Sequence, residues 1–455
     1  MKNKTPARLI INANPTKNLF ISILVRDISI RDAIGDLLDN SVDGALRIRP
    51  DGVYEGLFVK IELDTKNKSF VIRDNCGGID VKIAREYAFQ FGRSKNAITL
   101  ENSVGVFGIG MKRALFRLGR KFSVESVAQN SSFQMSVDVD KWESDPESWN
   151  FKFDNVEENL DVPYPDKKRG TIITVTDLHD DVTTLFENTT DVQTLIDELQ
   201  REHLYSIDQK LKVSVNDYPL KAPELKLLAS NDIKTAFWEK LDGKVQVKIF
   251  AGIGEKEEHG TNGGWYVFCN KRLVLGPDHT KITGWGTNKP TRIPKYHSQY
   301  YHFRGYVFLD AKNPLDLPWN TAKTGMDIDS PVYKSVLQKM IVLMRTVLDF
   351  LNQLHDEETA YAKEEVITSP SKDAIKAAKS VSLKNVQDKV EYRFADKFLY
   401  PERSKPTQPK PTQVVIRYMV PKSKLDPAQE YFDTDDPAEI GLSTFLYFFD
   451  REIKK

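Results

Sequence analysis

Asp36, Asn40 and Asp43 stand four and three residues apart, a spacing that sets side chains in a row along one helix surface. A carboxylate beside an amide oxygen suits a hard cation and an activated water. Magnesium takes oxygen ligands and keeps several waters when it bridges phosphates, and a neighbouring carboxylate can accept a proton from an attacking water. The plainer alternative for these residues alone is a solvated acidic helix face. A further acid, Asp74, follows the β-like run Phe70-Val71-Ile72 and precedes Asn75, Cys76, Gly77 and Gly78. By composition this is a strand running into a turn. As a site, Asp74 would accept a hydrogen bond from the exocyclic amine of adenine while the glycines let the backbone approach the base. A carboxylate facing that position rejects guanine, which presents a carbonyl there.

Gly105, Gly108 and Gly110 come next, ahead of the helix-like Met111-Lys112-Arg113-Ala114-Leu115-Phe116. Backbone amides and the positive end of that helix would converge on an anion, with Lys112 adding a point charge. A glycine-rich loop alone is often only a connection. Gly170-Thr171 then opens an alternating strand from Ile172 to Leu178.

The elements that must position these groups are legible. Ile34, Leu37, Leu38, Val42 and Ala45 recur at helical spacing, so Arg31 to Leu46 reads as an amphipathic helix with one buried stripe. On that helix Asp39 points roughly a hundred degrees away from Asn40, so it is not a simple substitute for Asp36.

Taken in order, Asp36 to Ala45, Asp74 to Ile79, Gly105 to Lys112 and Gly170-Thr171 resemble the ATP-binding domain of the GHKL superfamily, which includes the gyrase B subunit, heat-shock chaperones, histidine kinases and MutL. The resemblance implies ATP and Mg2+ as cofactors. Asn40 would hold the metal, and Asp43, Asp74, Gly78, Ile79, Gly105, Val106, Gly108, Ile109, Gly110, Met111, Lys112 and Thr171 would hold the nucleotide, with Thr171 supporting Asp74. Phe91 to Lys95 and the polar run to Ser103 resemble the ATP lid of the family, which adds Ser94 and Lys95. Two departures stand out. Cys76 occupies the place of the family's first glycine, and Asp36 stands where hydrolysing members have glutamate. Aspartate is one methylene shorter, and a base must come within about 2.6 to 3.2 Å of its target or act through a water, so hydrolysis is expected to be slow, relayed or absent.

The 455 residues suffice for two or three domains. Charged residues make up 29% and the formal charge is zero, so no global field draws the chain to nucleic acid or membrane. Cys76 and Cys269 are the only cysteines, too few for a disulfide framework or a cysteine-rich zinc site. No signal-like start or spanning stretch is visible. The expectation is a soluble, cytoplasmic protein without a membrane partner.

Beyond about Leu199 a second α/β region begins. Gly264 to Val274 reads as two strands joined at Asn270-Lys271, and Phe303 to Asp310 as another. With Leu317-Pro318-Trp319-Asn320-Thr321-Ala322-Lys323-Thr324-Gly325 they resemble the transducer domain of MutL and MORC-like proteins. That resemblance implies that Lys323 reaches the ATP site and senses the γ-phosphate. Ser330-Pro331 starts a helix whose Leu337, Met340, Met344, Val347, Leu351 and Leu354 form a stripe that packs on the second sheet or on a partner subunit. A polar stretch ends in Pro401, Pro406, Pro409 and Pro411, a stiff linker. The tail, a strand Val414 to Val420, a helix Ser423 to Phe432 and a helix opening at Asp436-Pro437-Ala438-Glu439, resembles a ribbon-helix-helix module, which dimerises and often reads DNA.

The expected class is α+β: a GHKL α/β sandwich at 1–198, a ribosomal-protein-like transducer domain at 199–356, a partly ordered linker at 357–411 and a strand-helix-helix module at 412–455. The expected function is an ATP-dependent homodimeric clamp or switch, an ATPase with Asp36 and Lys323 as its catalytic pair. Its client would be a protein or DNA, in genome maintenance or defence. The alternative is a non-hydrolysing ATP sensor that recruits an effector. A histidine kinase is disfavoured, since the first histidine is His179; a heat-shock chaperone is disfavoured by length.

Overall fold

Asp36 and its neighbours sit on the second helix of a large mixed α/β unit, seen in a computed structural model. It describes residues 15–91, 104, 109–145, 148–163, 169–222, 224–256, 260–320, 323–363, 368–403 and 416–453. The expected lid at 93–103, with Ser94 and Lys95, lies outside the described residues, as do Gly105, Val106 and Gly108.

The first layer begins with α1 (Lys17–Arg26), α2 (Ile30–Ile48), β1 (Phe58–Asp64) and β2 (Ser69–Asp74). A short α3 (Val81–Ile83) then runs into a π turn at Ala84–Ala88. There follow α4 (Gly110–Leu118), β3 (Gly119–Val127), β4 (Ser131–Asp138), α5 (Val139–Ser144), β5 (Asn155–Glu158), β6 (Gly170–Leu178), α6 (Asp180–Glu187), α7 (Thr189–Glu202), α8 (Leu204–Asp208), β7 (Lys212–Val215) and β8 (Tyr218–Pro219). The eight strands form one sheet in the order β5-β4-β3-β6-β2-β1-β7-β8, antiparallel except for the parallel pair β1 and β7. Burial alternates along β1 and β4, as expected of a sheet covered on one face. Ala33, Ile34, Leu37, Leu38, Val42 and Ala45 of α2 join Val59, Ile61, Phe70 and Val175 of the strands in one core. The alternation and the helical stripe thus meet face to face.

The first sheet does not stop at residue 198. β7 and β8 belong to it, and Leu211, Val213, Val215 and Leu220 lie in its core. The division expected at 198 is therefore corrected to about residue 220; a parallel partner for β1 needs a long crossover, and the chain supplies it with α6 to α8.

The second layer contains β9 (Lys226–Ala229), β10 (Thr235–Asp242), β11 (Val245–Ile253), β12 (Gly264–Cys269), β13 (Arg272–Asp278), β14 (Phe303–Ala311), α9 (Pro331–Ala362), α10 (Pro370–Ala377), β15 (Lys379–Ser382), α11 (Leu383–Asp388) and β16 (Arg393–Ala395). Its sheet runs β13-β12-β14-β11-β10-β16. Every residue of β12 is buried, because both faces are covered. Val245, Val247, Ile249, Val267 and Val307 pack with α9, while Phe250, Tyr266, Phe268, Tyr306 and Phe308 pack with the β9 and β15 pair. The α9 stripe is core: Met340, Met344, Val347, Leu351 and Leu354 are buried, with Leu337 packed beside them. β12 and β13 meet at Asn270 and Lys271, both left-handed (φ 45° and 68°), as a two-residue hairpin requires.

The expected linker at 357–411 contains ordered elements of the second layer. Residues 369–403 add β16 beside β10 and β15 beside β9, and Phe398 is fully buried. A separate unit, residues 360–368 with 405–455, contains α12 (Lys422–Phe432, with Pro427 inside) and α13 (Pro437–Phe448), the latter capped by Asp436. The described part of the expected tail strand, 416–420, is not in a strand. Among the described residues no helix is long and apolar enough to cross a membrane.

Candidate functional site

Ser29 caps α2, its hydroxyl accepting from Asp32 N at 3.0 Å, and the buried apolar stripe fixes the helix's rotation. Asp36, Asp39 and Asp43 are 6%, 1% and 8% exposed. The acidic row is therefore not a solvated face, and buried carboxylates require partners. Asn40 Nδ2 donates to Asp36 O at 2.9 Å. Since a carbonyl only accepts, the amide's orientation is set and Oδ1 is left as its acceptor end, the end that a hard cation takes. Asp43 Oδ1 accepts from Val104 N at 2.7 Å, and Val104 packs in the core of the second layer.

Asp74 ends β2 opposite Thr171 of β6. Its Oδ2 accepts from Ser41 Oγ at 2.7 Å, and Oδ1 accepts from Cys76 N at 2.8 Å and Thr171 N at 3.2 Å. Burial pushes the Asp74 carboxyl above the usual range against the pull of these donors and Arg47. Gly78 is left-handed (φ 71°), and a Cβ there would fall 2.1 Å from Val127 O. At Gly170 a Cβ would fall 1.9 Å from Asp74 O. These glycines let three backbone segments close around Asp74. Ile79 N donates to Ser126 Oγ at 2.7 Å, and that hydroxyl lies 3.2 Å from Thr171 Oγ1. Cys76 is buried, and a Cβ at Gly44 would meet its carbonyl at 2.5 Å, so α2 and the β2 turn touch through backbone.

At the other end of α2, α4 begins with Ile109 as an N-cap that supplies no side-chain oxygen. Its first turn, Gly110, Met111 and Lys112, thus follows the pattern of an anion-binding helix start. Gly110 stands beside Asp36, where an added Cβ would sit 3.2 Å from the carboxylate. Met111 and Lys112 are buried, and Lys112 Nζ donates to Ala88 O at 2.7 Å. Arg113 Nη2, one turn in, donates to Asp36 Oδ2 at 2.7 Å.

Lys323 comes from the second layer. Its loop is pinned by a bridge between Trp319 and Met326 and by Trp319 Nε1 donating to Pro314 O at 3.1 Å. Lys323 itself is left-handed (φ 59°), a sparsely populated conformation for a side chain with Cβ. Its Nζ donates to Asp36 Oδ1 at 3.0 Å and to Asp39 Oδ2 at 2.7 Å. Asp39 Oδ1 accepts from Arg272 Nη1 and lies 3.1 Å from His203 Nε2, and Arg272 Nη2 donates to Glu202 Oε2 at 2.9 Å. Burial drives the Asp39 carboxyl up, but the Arg272 and Lys323 charges and the His203 bond together prevail and hold it well below the usual range. Burial likewise opposes the charge on Lys323, and Asp39 and Asp36 overcome it, so the ammonium is held above its ordinary value.

The structure thus brings Asp36, Asn40, Gly110 and Lys323 together at one end of α2, and Asp74, Gly78, Ile79 and Thr171 together at the β2 turn. Arg113, Asp39, Arg272, Glu202 and His203 complete the charged end without belonging to any expected site. Only Asp39 carried a signal, its spacing of three from Asp36. Among the described residues no three His, Cys, Asp or Glu converge to hold a metal alone, so magnesium here would bind through Asn40 together with nucleotide phosphates.

No curated protein matches the chain. Residues 28–161 match the family model described as histidine kinase-, DNA gyrase B- and HSP90-like ATPase. That stretch contains α2, the Asp74 turn and the start of α4, the elements that gather the acidic row, the hydrogen-bonded Asp74 carboxylate and a helix start without a side-chain cap. The chain therefore carries a GHKL-type ATPase domain at residues 28–161, a domain that binds ATP.

Proposed function

We propose that the chain is an ATP-driven switch in which the second layer acts as a transducer of the MutL and MORC-like kind. The observation that carries this reading is Lys323, which crosses from the second layer to donate to Asp36 and Asp39 on the ATP-site helix. Adenine is recognised by Asp74. The phosphates lie at the α4 start, and Asn40 Oδ1 would hold a magnesium ion, which would supply positive charge to them. The terminal phosphate draws Lys323 from the carboxylates, which frees Asp36 Oδ1 to take a proton from water. That water attacks the terminal phosphorus as the bond to the ADP oxygen breaks. Two copies close when ATP is bound and part when it is hydrolysed or released, and such a shift is limited by the difference in ATP affinity between the two states.

A second reading, a non-hydrolysing sensor that recruits an effector, is favoured by one observation: both Asp36 oxygens hold cations, Lys323 on one and Arg113 on the other. ATP turnover with magnesium, measured beside ATP binding on the wild type, Asp36→Ala and Asn40→Ala, separates the two. Turnover that disappears in Asp36→Ala while binding survives establishes the ATPase; binding without turnover in the wild type establishes the sensor. Sedimentation with and without ATP tests the dimer.

A further inference from the structure

The charged end of α2 is balanced in an uneven way. Three carboxylates, Asp36, Asp39 and Glu202, meet three cations, Lys323, Arg113 and Arg272. Lys323 bridges two carboxylates at once, whereas each of those two also has an arginine of its own. Arg113 is on Asp36, and Arg272 is on the Asp39 oxygen that Lys323 does not use. If Lys323 departs, neither buried carboxylate is left alone. Without Arg272, its departure would leave Asp39 with no lysine or arginine and with only His203 Nε2, 3.1 Å away, beside it, and removing the cations from a buried carboxylate is strongly unfavourable.

We propose that Arg272 is a positioning residue for the ATP reaction: it keeps Asp39 compensated, so that Lys323 can be exchanged between the carboxylates and the terminal phosphate of ATP. Asp39 is the competing anchor for Lys323 and Arg272 weakens its hold. Arg272 is placed for this by the tight β12 and β13 hairpin, whose left-handed Asn270 and Lys271 directly precede it, and by Glu202, which takes its other amino group. The proposal rests on the reading that Lys323 engages nucleotide. It assigns opposite signs to two residues that touch each other: loss of Arg272 traps Lys323 and weakens ATP binding, while loss of the Asp39 charge releases Lys323 and strengthens it. A merely structural pair would move both in the same direction.

The test is the affinity of the full chain for a non-hydrolysable ATP analogue with magnesium, measured by titration calorimetry. The proteins are the wild type, Lys323→Ala, Arg272→Gln, Asp39→Asn and the double variant Lys323→Ala with Arg272→Gln. Lys323→Ala is expected to weaken binding about tenfold in the wild-type background, the scale of a charge-assisted hydrogen bond, and less than about twofold in the Arg272→Gln background, the coupling a mutant cycle isolates. Asp39→Asn is expected to bind several-fold more tightly than the wild type. Equal losses in both backgrounds, or an Asp39→Asn affinity no better than the wild type, overturns the proposal. If Arg272→Gln fails to fold, Asp39→Asn decides by the same criterion. A wild type that binds no analogue sinks the ATP reading itself. A wild type that binds, with Lys323→Ala unaffected, overturns the proposal and leaves ATP binding standing.

Discussion

Lys323 Nζ lies 3.0 Å from Asp36 Oδ1 although 287 residues separate the two in the chain. The ammonium is 7% exposed and the carboxylate 6%, so the contact is made away from water, where an ion pair is strong only with all its partners present. Lys323→Ala leaves Asp36 with Arg113 and Asp39 with Arg272, and should therefore lower stability by about 1–3 kcal/mol rather than unfold the chain. Urea denaturation of the variant beside the wild type gives the number, and a loss of less than a few tenths of a kcal/mol would mean that Lys323 does not hold the two layers together.

Gly78 is held at φ 71°, with Val127 O where a Cβ would be. Gly78→Ala should cost about 2–4 kcal/mol through strain and displacement and should abolish ATP binding while the far-UV circular dichroism stays native. Retention of wild-type affinity would remove Gly78 from the adenine site.

Acid should weaken ATP binding through Asp74. Burial lifts this carboxyl above its ordinary value, so it takes up a proton at a higher pH than a free aspartate would, and the neutral form is the poorer acceptor for adenine. The folded state binds that proton more tightly than the unfolded chain, so this group alone makes the fold more stable, not less, as pH falls. Affinity measured from pH 7 downward should fall for the wild type ahead of any loss of fold, and Asp74→Asn should be weaker but flat over the same range.

Asp39 has the opposite sign. Its depressed carboxyl contributes stability that is present above the unfolded value of about 3.9 and is lost only as pH falls through the lower folded value. The stability difference between wild type and Asp39→Asn should therefore be the same at pH 7 and pH 5. A difference that has shrunk by pH 5 would show that the Arg272 and Lys323 contacts do not hold Asp39 charged.

The stripe on α9 is buried within its own chain. Leu351→Ala should cost about 2–5 kcal/mol by cavity formation without changing the sedimentation coefficient of the folded protein; a change in oligomeric state would mean that the stripe also serves an interface.

The elements of the candidate site were readable because their residues lie close together in the sequence. Asp36, Asn40 and Asp43 share one helix surface by spacing, Asp74 and Gly78 share one turn, and Gly110 starts a helix. What escaped is what depends on distant pairing. Arg272 meets Asp39 across 233 residues from a hairpin that reads only as a hairpin, and Glu202 and His203 look like an ordinary helix end. β7 is a four-residue strand whose parallel partner lies far upstream, so nothing near Lys212 tells it which sheet to join. Residues 369–403 look like a linker because their strands are only three and four residues long; their partners β9 and β10 give them a place.

The position of β6 bears on how this chain is made. It lies between β3 and β2, in the middle of the ATPase sheet, yet it is synthesised after both and beyond residue 161. Until residues 170–178 emerge from the ribosome, the nascent sheet consists of the β1 and β2 hairpin and the three-stranded β3-β4-β5 unit with no strand pairing between them, and the β1 edge stays open until β7 follows. A gene shortened to the matched stretch of 28–161 would therefore yield those two separate strand units with unpaired edges, prone to aggregation, whereas a piece that carries every strand of the sheet extends to about residue 220.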